Sequence, residues 1–338
     1  MVNPTISICI PTYNFGRYIA ATLQSILDQG IEDLEIVIVD GASTDNTAEV
    51  VRDFQQRYPA IRYCCLARRG GIDRDMAKTV ELATGRYCWL FSSDDLMRQG
   101  AIKIIRQEVA SGHDLYLCKH TNCTLEMQII GEHPVLQSAV HSDFRLEDQQ
   151  DRLRYFRLAA NTEAFFSFMG GLVIKREAWV SVALNEAFVG SCWAHVARIF
   201  QIASVRLSVR YVPQCLLDRR GENDSFADRG VVNRIRIAVE GYGRLADLFF
   251  GCQSEEAGHI RRALRNEFRL RHFLYAKMLC WRSPASESRE ILDALANELH
   301  QDLSWRCFLF RVAYKATPAW FYPLLRYVYQ SIAPTART

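Results

Sequence analysis

Four short apolar runs alternate with segments of helical periodicity along the first hundred residues. The runs span residues 6–11, 34–40, 61–66 and 87–91, and they are rich in β-branched and aromatic side chains. Apolar runs of this length without polar alternation are typical of strands buried on both faces of a parallel sheet. Helical spacing recurs between them at 18–28, 44–58 and 75–83. The alternation predicts right-handed βαβ units in a doubly wound α/β domain, a mostly parallel sheet flanked by helices.

The pattern loosens after residue 114 and becomes wholly helical after residue 231. Strand-like runs at 114–120, 172–174 and 205–213 alternate with helical segments at 146–158 and from residue 191 onward. A polar, glycine-containing stretch at 218–230 separates the two patterns and is typical of a domain boundary. We therefore expect an α/β domain over residues 1–220, with halves at 1–110 and 111–220, and a helical C-terminal region over residues 221–338.

Composition indicates a globular protein with a substantial core, since 49% of the 338 residues are hydrophobic. No apolar run is long enough to cross a bilayer, and no basic segment followed by an apolar one marks the N-terminus, so we expect a cytoplasmic location. The eleven cysteines are scattered through mostly apolar segments. That distribution predicts reduced core residues rather than a disulfide framework or a zinc site.

The small positive charge is unevenly distributed. Residues 231–338 carry 16 Lys and Arg against 10 Asp and Glu, and residues 303–338 carry five basic, no acidic and nine aromatic residues. This composition suits peripheral contact with an anionic membrane surface. A basic helical subdomain packed on the main domain is an equally good interpretation. We expect no nucleic-acid partner.

Two adjacent carboxylates, Asp94 and Asp95, directly follow the fourth apolar run in YCWLFSSDDLM. Neighbouring ionised carboxylates repel each other and resist desolvation, and a divalent cation such as Mg²⁺ or Mn²⁺ relieves both effects. In a doubly wound sheet, ligands bind beyond the carboxyl ends of the strands, where Asp40 also falls. The pair therefore suggests a metal that holds a nucleotide diphosphate. The alternative is a pair of Asp residues that caps the helix near Arg98.

The segments PTYN and VDGASTDNT follow the first two strands. Asp40 can accept a hydrogen bond from a base imide or amino group, and Thr12 and Tyr13 can contact the base and ribose. Asn14 has the plainer alternative of capping a helix.

Together, PTYN, VDGASTDNT and SSDD resemble the family 2 glycosyltransferases of the GT-A fold. GIDRDM, FFSFMGGLVIKREAW, SCWAHV and GENDSF are further similar to the abequosyltransferase-like branch, whose members are associated with lipopolysaccharide O-antigen assembly and transfer deoxysugars. The resemblance implies a nucleoside pocket, a ribose or diphosphate contact and a metal ligand. The residues implied are Pro11, Thr12, Tyr13, Asn14 and Asp40 for the pocket, Asp94 for the ribose or diphosphate, and Asp95 for the metal.

This chain departs from the family pattern at two places. Ser93 stands where many relatives have an acidic residue, which leaves Asp95 as the main metal ligand. GIDRDM replaces the family's ARN segment, so Arg74 is a candidate counter-charge for base or phosphate, with a local pair to Asp73 or Asp75 as the alternative. Arg219 and Arg220, in the polar stretch before the helical region, could close over the diphosphate or belong to a solvated linker.

The resemblance also places the general base of an inverting transfer near SCWAHV. His195 stands there, and a neutral imidazole can take a proton from an acceptor hydroxyl. Trp193 could stack on the acceptor sugar. Both residues have a structural alternative at a helix start, and a retaining reaction would need no such base.

The leading hypothesis is a metal-dependent transferase that moves a sugar from a nucleotide-diphosphate donor to a glycan or polyprenyl-linked saccharide. Its nucleotide-sugar site would lie in residues 1–110 and its acceptor site in 111–220. A sugar nucleotidyltransferase would normally show a glycine-rich phosphate loop, whereas PTYNFGRY offers only Gly16. A noncatalytic nucleotide- or carbohydrate-binding protein would tolerate loss of Asp95 and His195. UDP, CDP and dTDP donors all remain open.

Overall fold

The computed structural model describes residues 4–30, 32–223, 230–283 and 288–322. The chain divides into two compact units, Met1–Glu222 and Asn223–Thr338. The first contains the described strands, and the described elements of the second are helical. The division falls just after the boundary expected at residue 220.

Strands and helices alternate through the first half of the first unit. In chain order its elements are β1 (Ile6–Thr12), α1 (Ile19–Leu27), β2 (Leu34–Asp40), α2 (Thr47–Arg57), β3 (Ile61–Cys65), α3 (Ile72–Leu82), β4 (Tyr87–Leu90), β5 (Leu96–Met97), α4 (Ala101–Val109), β6 (Leu115–Cys123), β7 (Ile129–Glu132), β8 (Ser142–Arg145), α5 (Gln149–Leu158), β9 (Leu172–Lys175), α6 (Arg176–Val180), α7 (Ala194–Ala203) and β10 (Ser208–Arg220). Short 3₁₀ turns cover Thr162–Phe165, Met169–Gly171 and Glu186–Phe188.

The described strands form one mixed sheet in the order β3-β2-β1-β4-β9-β6-β10-β5. The four strands β3, β2, β1 and β4 are parallel, as predicted, and all residues of β1 and β2 are buried. β9 runs antiparallel between β4 and β6, which brings β6 and its parallel neighbour β10 into the same direction as β4. The carboxyl ends of all these parallel strands therefore meet at one edge. This is the expected α/β architecture.

Two local predictions were wrong for identifiable reasons. Helix α2 begins at Thr47 rather than residue 44, because the Asp45 carboxylate accepts hydrogen bonds from the backbone N–H groups of Gly16 and Thr47 and holds a turn there. Arg219 and Arg220 belong to β10 rather than to a loop, because they pair with Asn122 and Cys123 of β6. Pairing between strands that are distant in sequence leaves no signal in the local sequence pattern.

The second unit consists of helices in its described part. They are α8 (Val231–Phe249), α9 (Glu255–Glu267), α10 (Leu270–Arg282), α11 (Arg289–Leu299) and α12 (Trp305–Ala316). Ser254, Ser288 and Ser304 cap three of these helices through their side-chain oxygens. No helix of the described residues offers an apolar stretch long enough to cross a bilayer. Cys9, Cys88 and Cys118, which lie in apolar runs of the sequence, are buried and form no disulfide.

Candidate active site

The loops that follow β1 and β2 are joined by Asn14. Its backbone N–H donates to the Ser43 hydroxyl at 2.8 Å, and its side-chain oxygen accepts from the Thr44 N–H at 2.8 Å. Asn14 has a φ of 58°, and α1 begins only at Ile19, so the capping alternative for Asn14 is wrong. The residue instead fixes the two loops that the sequence assigned to a nucleoside pocket.

Asp40 lies completely buried at the end of β2, level with Thr12 of β1. One carboxylate oxygen accepts from the Ser43 N–H at 2.7 Å and the other from the Tyr63 hydroxyl at 2.7 Å. Burial and the hydrogen bond to Asp40 raise the pKa of Tyr63, so this hydroxyl remains a donor. A carboxylate oxygen can accept more than one hydrogen bond, so Asp40 can still accept a hydrogen bond from an N–H group of a base.

Near Asp40, the end of β1 and the loop after it carry a hydroxyl without a hydrogen-bond partner among the described residues and an aromatic ring. Thr12, which follows the buried Pro11, has a buried hydroxyl with no hydrogen-bond partner in the described part of the chain. The Arg69 guanidinium lies 4.1 Å from the centroid of the Tyr13 ring. The guanidinium covers one face of the Tyr13 ring, so a planar base can stack on the other face or on the guanidinium plane.

Asp75 of α3 is a second buried carboxyl near Asp40, and sequence reasoning assigned it no ligand role. It is 3% exposed, and its Oδ1 atom has no partner among the described residues. A Cβ on Gly41 would lie 2.6 Å from Oδ2, and one on Gly70 would lie 2.5 Å from Oδ1. Burial raises the pKa of Asp75 to about 6 against the attraction of Arg69, and the charge of Asp40 adds to the rise.

The acidic segment after β4 is buried and anchored on both sides. The Asp95 carboxylate accepts from the Arg220 backbone N–H at 2.9 Å, and its carbonyl accepts from the Thr22 hydroxyl at 2.9 Å. The Ser92 hydroxyl donates to the Asp94 carboxylate. Because α4 begins at Ala101 with Gly100 before it, the helix-capping alternative for the two acids is wrong.

Burial raises the pKa of Asp95 well above the ordinary range, and the charge of Asp94 raises it further. The Arg220 N–H and the charges of Arg219 and Arg220 act in the opposite direction without cancelling the rise. The Arg220 side chain itself donates to the carbonyl oxygens of Asp94, at 3.0 Å, and Leu125. Asp95 is therefore a desolvated acid that a divalent cation would stabilise in its charged form.

A second group of possible metal ligands lies at the end of β6. One ligand atom each from His120, His133 and Glu163 lie within 4.8 Å of one another. Burial alone would raise the pKa of Glu163, but the charge and hydrogen bond of His120, with His133 and Arg219, lower it to about 2. Imidazole and carboxylate ligands suit transition metals. The three residues are too far apart in sequence to form a recognisable motif.

His195 lies in the first turn of α7 and is buried. Its Nε2–H donates to the Phe166 carbonyl at 2.9 Å, which makes Nδ1 the unprotonated nitrogen of the neutral ring. Burial lowers the pKa of His195, although Asp73 partly opposes this. Trp193 is only 7% exposed, and its ring centroid lies 6.5 Å from that of His195.

Asp73 of α3 positions this segment, a role that no sequence pattern indicated. Its carboxylate accepts from the backbone N–H groups of Gly190, Cys192 and Ala194, at 2.8, 3.1 and 3.2 Å. The neighbouring Arg74 pairs through both terminal nitrogens with Glu186, at 3.2 and 2.6 Å, instead of with Asp73 or Asp75. The start of α3 therefore holds the segment that carries Trp193 and His195.

A mostly parallel sheet flanked by helices, with buried acids at its carboxyl edge, is the architecture of the GT-A transferases. The family model described as glycosyl transferase family 2 matches residues 7–169. The abequosyltransferase RfbV of Salmonella typhimurium is 31% identical over 306 residues, which cover 86% of this chain and 88% of that protein. The chain belongs to glycosyl transferase family 2, and it is a glycosyltransferase.

Solved structures show the same fold at low identity. S. aureus TarS 1-349 in complex with UDP-GlcNAc aligns with a TM-score of 0.60 at 14% identity, covering 90% of this chain and 83% of that one. The mannosyltransferase PcManGT from Pyrobaculum calidifontis, in complex with GDP-Man and Mn²⁺, aligns with a TM-score of 0.52 at 19% identity, covering 94% and 81%.

Proposed function

We propose that this glycosyltransferase moves a sugar, in particular a deoxyhexose, from a nucleotide-diphosphate donor to a hydroxyl of a glycan or polyprenyl-linked saccharide. The product would belong to O-antigen or another surface polysaccharide, assembled at the cytoplasmic face of the membrane. The abequosyltransferase relative, aligned over most of both chains, supports this substrate class. The observation that carries the proposal is the buried, backbone-anchored Asp95 at the same sheet edge as the Asp40 pocket.

In this proposal the donor base lies against Tyr13 and reaches Asp40, and the Thr12 hydroxyl supplies a further hydrogen bond. Pro11 and Asn14 shape the loop, Ser93 and Asp94 face the ribose and diphosphate, and Arg74 supplies positive charge at the start of α3. The unpartnered Thr12 hydroxyl and the stacked Arg69 support these roles.

Asp95 would hold a divalent metal, Mn²⁺ or Mg²⁺. The raised pKa of its buried carboxyl fits such a ligand, because a dication offsets both desolvation and the repulsion from Asp94. The bound ion would act as a Lewis acid toward the departing diphosphate. The Arg220 N–H fixes one oxygen of Asp95 and so orients the other.

His195 is the proposed base of an inverting transfer. Its Nδ1 atom takes the proton of the acceptor hydroxyl while that oxygen bonds to the anomeric carbon and the bond from this carbon to the diphosphate breaks. The Nε2–H bond to Phe166 fixes the ring, and the lowered pKa keeps the imidazole neutral at physiological pH. Trp193 would border the acceptor.

A thermal-shift series with UDP, CDP and dTDP, each with and without Mn²⁺, tests the donor site. A bound ligand raises the melting temperature by mass action, so one nucleotide should stabilise the wild type only with metal. Asp95→Asn should abolish that response, whereas Asp53→Asn on exposed α2 should keep it. A wild type that responds to no nucleotide would contradict the proposal.

Turnover assays separate the remaining classes. His195→Gln should keep the nucleotide response and lose about 100-fold or more in transfer rate, the usual contribution of a general base. A nucleotidyltransferase would instead release pyrophosphate from a nucleoside triphosphate. A noncatalytic protein would bind nucleotide without consuming a donor sugar.

Contact with an anionic membrane surface is proposed through α12. Trp305, Phe308, Leu309 and Val312 recur at the spacing of one helix face, and each is 47–67% exposed. Arg306, Arg311 and Lys315 lie on the same helix, and residues 303–338 contain no acidic residue. An apolar face with basic residues around it is typical of a helix that lies in the membrane interface. The part of the predicted segment beyond Tyr322 lies outside the described residues.

A further inference from the structure

A cavity of about 670 Å³ lies in the first unit, between the loop after β3, helices α3, α6 and α7, and the segment 182–184. Of the predicted site residues only Arg74 lines it, whereas those at 11–14, 40, 93–95, 193 and 195 do not. Five cationic side chains do, against two acidic ones. The cations are Arg68, Arg74, Lys78, Arg176 and Arg198, and the acids are Asp75 and Glu81.

Arg198 is the cation buried most deeply in this cavity. It is 7% exposed, and its Nε–H has no hydrogen-bond partner among the residues that the structure describes. Burial lowers the pKa of Arg198, and no acidic group opposes this effect. Its guanidinium lies 4.7 Å from the centroid of the Trp179 ring. A buried guanidinium without an anion is costly, so this position favours an anionic ligand.

Two more N–H donors in the cavity wall also lack acceptors. Trp179 is 2% exposed, and its indole Nε1–H has no partner within the described residues. The Nε–H of Arg176, at the start of α6, is also buried and has no hydrogen-bond partner within the described residues. Buried donors normally find acceptors in a folded protein. Three of them around one cavity form a set of donors that the oxygens of a ligand, or water in its absence, can satisfy.

The charges at the mouth of the cavity are partly balanced by the protein. Arg74 pairs with Glu186, and Lys78 pairs with Glu81 at 2.8 Å. Asp75 also lines the cavity and contributes negative charge near neutrality. The apolar part of the cavity wall includes Leu66, Val182 and Leu184. The surplus of positive charge therefore lies inside, at Arg176 and Arg198.

We propose that this cavity is a binding site for a phosphate-bearing ligand, with the phosphate oxygens accepting from Arg198, Arg176 and the Trp179 indole. A planar guanidinium fork matches the geometry of phosphate oxygens, and the apolar wall accepts the organic group that carries them. The ligand can be a nucleotide or a lipid diphosphate, since both present the same anion. The inference does not depend on the donor site at Asp95.

Calorimetric titration of the full chain without divalent metal tests the site, with inorganic pyrophosphate, UDP, CDP and farnesyl diphosphate as probes. Wild type should bind at least one of them. Arg198→Met should weaken that binding by at least about tenfold, as expected for loss of a charged hydrogen bond. The matched variant Arg206→Met, at an exposed position outside the cavity, should bind like wild type.

The melting temperature of Arg198→Met distinguishes an arginine that binds a ligand from one that stabilises the fold. Arg198→Met should melt no lower than wild type in the absence of probe, because replacing an unpaired buried charge by an apolar side chain does not cost stability. Trp179→Phe removes the indole N–H together with the five-membered ring and keeps an aromatic side chain at this buried position, so probe binding should weaken severalfold.

The outcomes divide clearly. No binding of any probe, or equal binding by Arg198→Met and Arg206→Met, would overturn the site. If Arg198→Met does not fold, Trp179→Phe decides, and its unchanged affinity would overturn the site as well. Tighter binding of nucleotides or of farnesyl diphosphate supports the site and identifies the source of the phosphate. Asp95→Asn should bind the probes without metal as wild type does. Its nucleotide response with Mn²⁺ therefore tests the donor-site proposal separately from this cavity.

Discussion

Asp75 shows how one buried side chain can couple protonation to stability. Its carboxyl is buried beside Gly41 and Gly70 and near Asp40, and burial raises its pKa to about 6 in the folded protein. A carboxyl whose folded pKa is raised makes the native state bind more protons than the unfolded state. The contribution of Asp75 to the free energy of unfolding is therefore present at low pH. It is lost as the pH rises toward and through the folded pKa of about 6.

Asp75→Asn should therefore stabilise the protein at pH 7.5 and not at pH 4. The amide stays neutral, so it avoids the cost of burying a charge, which we expect to be about 3 kcal/mol from the rise of the Asp75 pKa to about 6. Urea unfolding of both proteins at the two pH values measures the difference. Asp53→Asn should show no such pH-dependent gain. A stabilisation that is the same at pH 4 and pH 7.5 would contradict the role of ionisation.

At the scale of elements, the start of α3 and the start of α7 act as one structural unit. Asp73 binds three backbone N–H groups that precede or begin α7, which satisfies donors that a helix start leaves open. A negative charge at this end also interacts favourably with the helix dipole. The segment that contains Trp193 and His195 is thereby ordered from a distant part of the chain.

Asp73→Asn should lower the free energy of unfolding by about 1.5–3 kcal/mol, the usual contribution of a hydrogen bond to a charged group. The amide keeps only one acceptor oxygen, so the amides of Gly190, Cys192 and Ala194 should exchange hydrogen faster. Hydrogen exchange with mass spectrometry of residues 188–196 measures this directly. Asp53→Asn, whose acid is exposed in a pair with Arg57, is the control. Unchanged protection of that peptide in Asp73→Asn would show that the carboxylate does not order the segment.

For the whole molecule, the exposed stripe on α12 is the surface through which we propose that the enzyme contacts the membrane. Its apolar side chains lie at the helix-face spacing, which an isolated surface residue would not show. An acceptor carried on a polyprenyl lipid is confined to the membrane, so binding at that surface raises the rate of encounter.

The double variant Phe308→Ser with Leu309→Ser should reduce binding to vesicles that contain anionic lipid by about tenfold or more, because both side chains would leave the interface. Sedimentation with vesicles measures the bound fraction. Leu248→Ser, at an exposed leucine of α8, should bind like wild type. If neutral and anionic vesicles bind wild type equally, the basic residues of α12 have no role. If α12 instead mediates self-association, the variant will change the oligomeric state and leave vesicle binding unchanged.

By itself, the sequence determined the parallel strands β1 to β4, the helices between them and the position of Asp40, Asp94 and Asp95 at one sheet edge. Burial on both faces of a strand leaves a continuous apolar run, and turn residues mark where it ends, so these features are local. Parallel strands also place the loops that follow them at one edge of the sheet. The nucleoside loop and the acidic segment could therefore be predicted without coordinates.

Only the tertiary structure decided the remaining features. It placed Asp73 against an amide 121 residues away at Ala194, set Arg220 of β10 against Asp95, and gathered Arg176, Trp179 and Arg198 around one cavity. Each of these contacts joins segments that are distant in sequence, and each depends on the antiparallel β9 and the paths of the chain around it. Local periodicity records whether a side chain is buried, but the partner it meets there is set by how the whole chain packs.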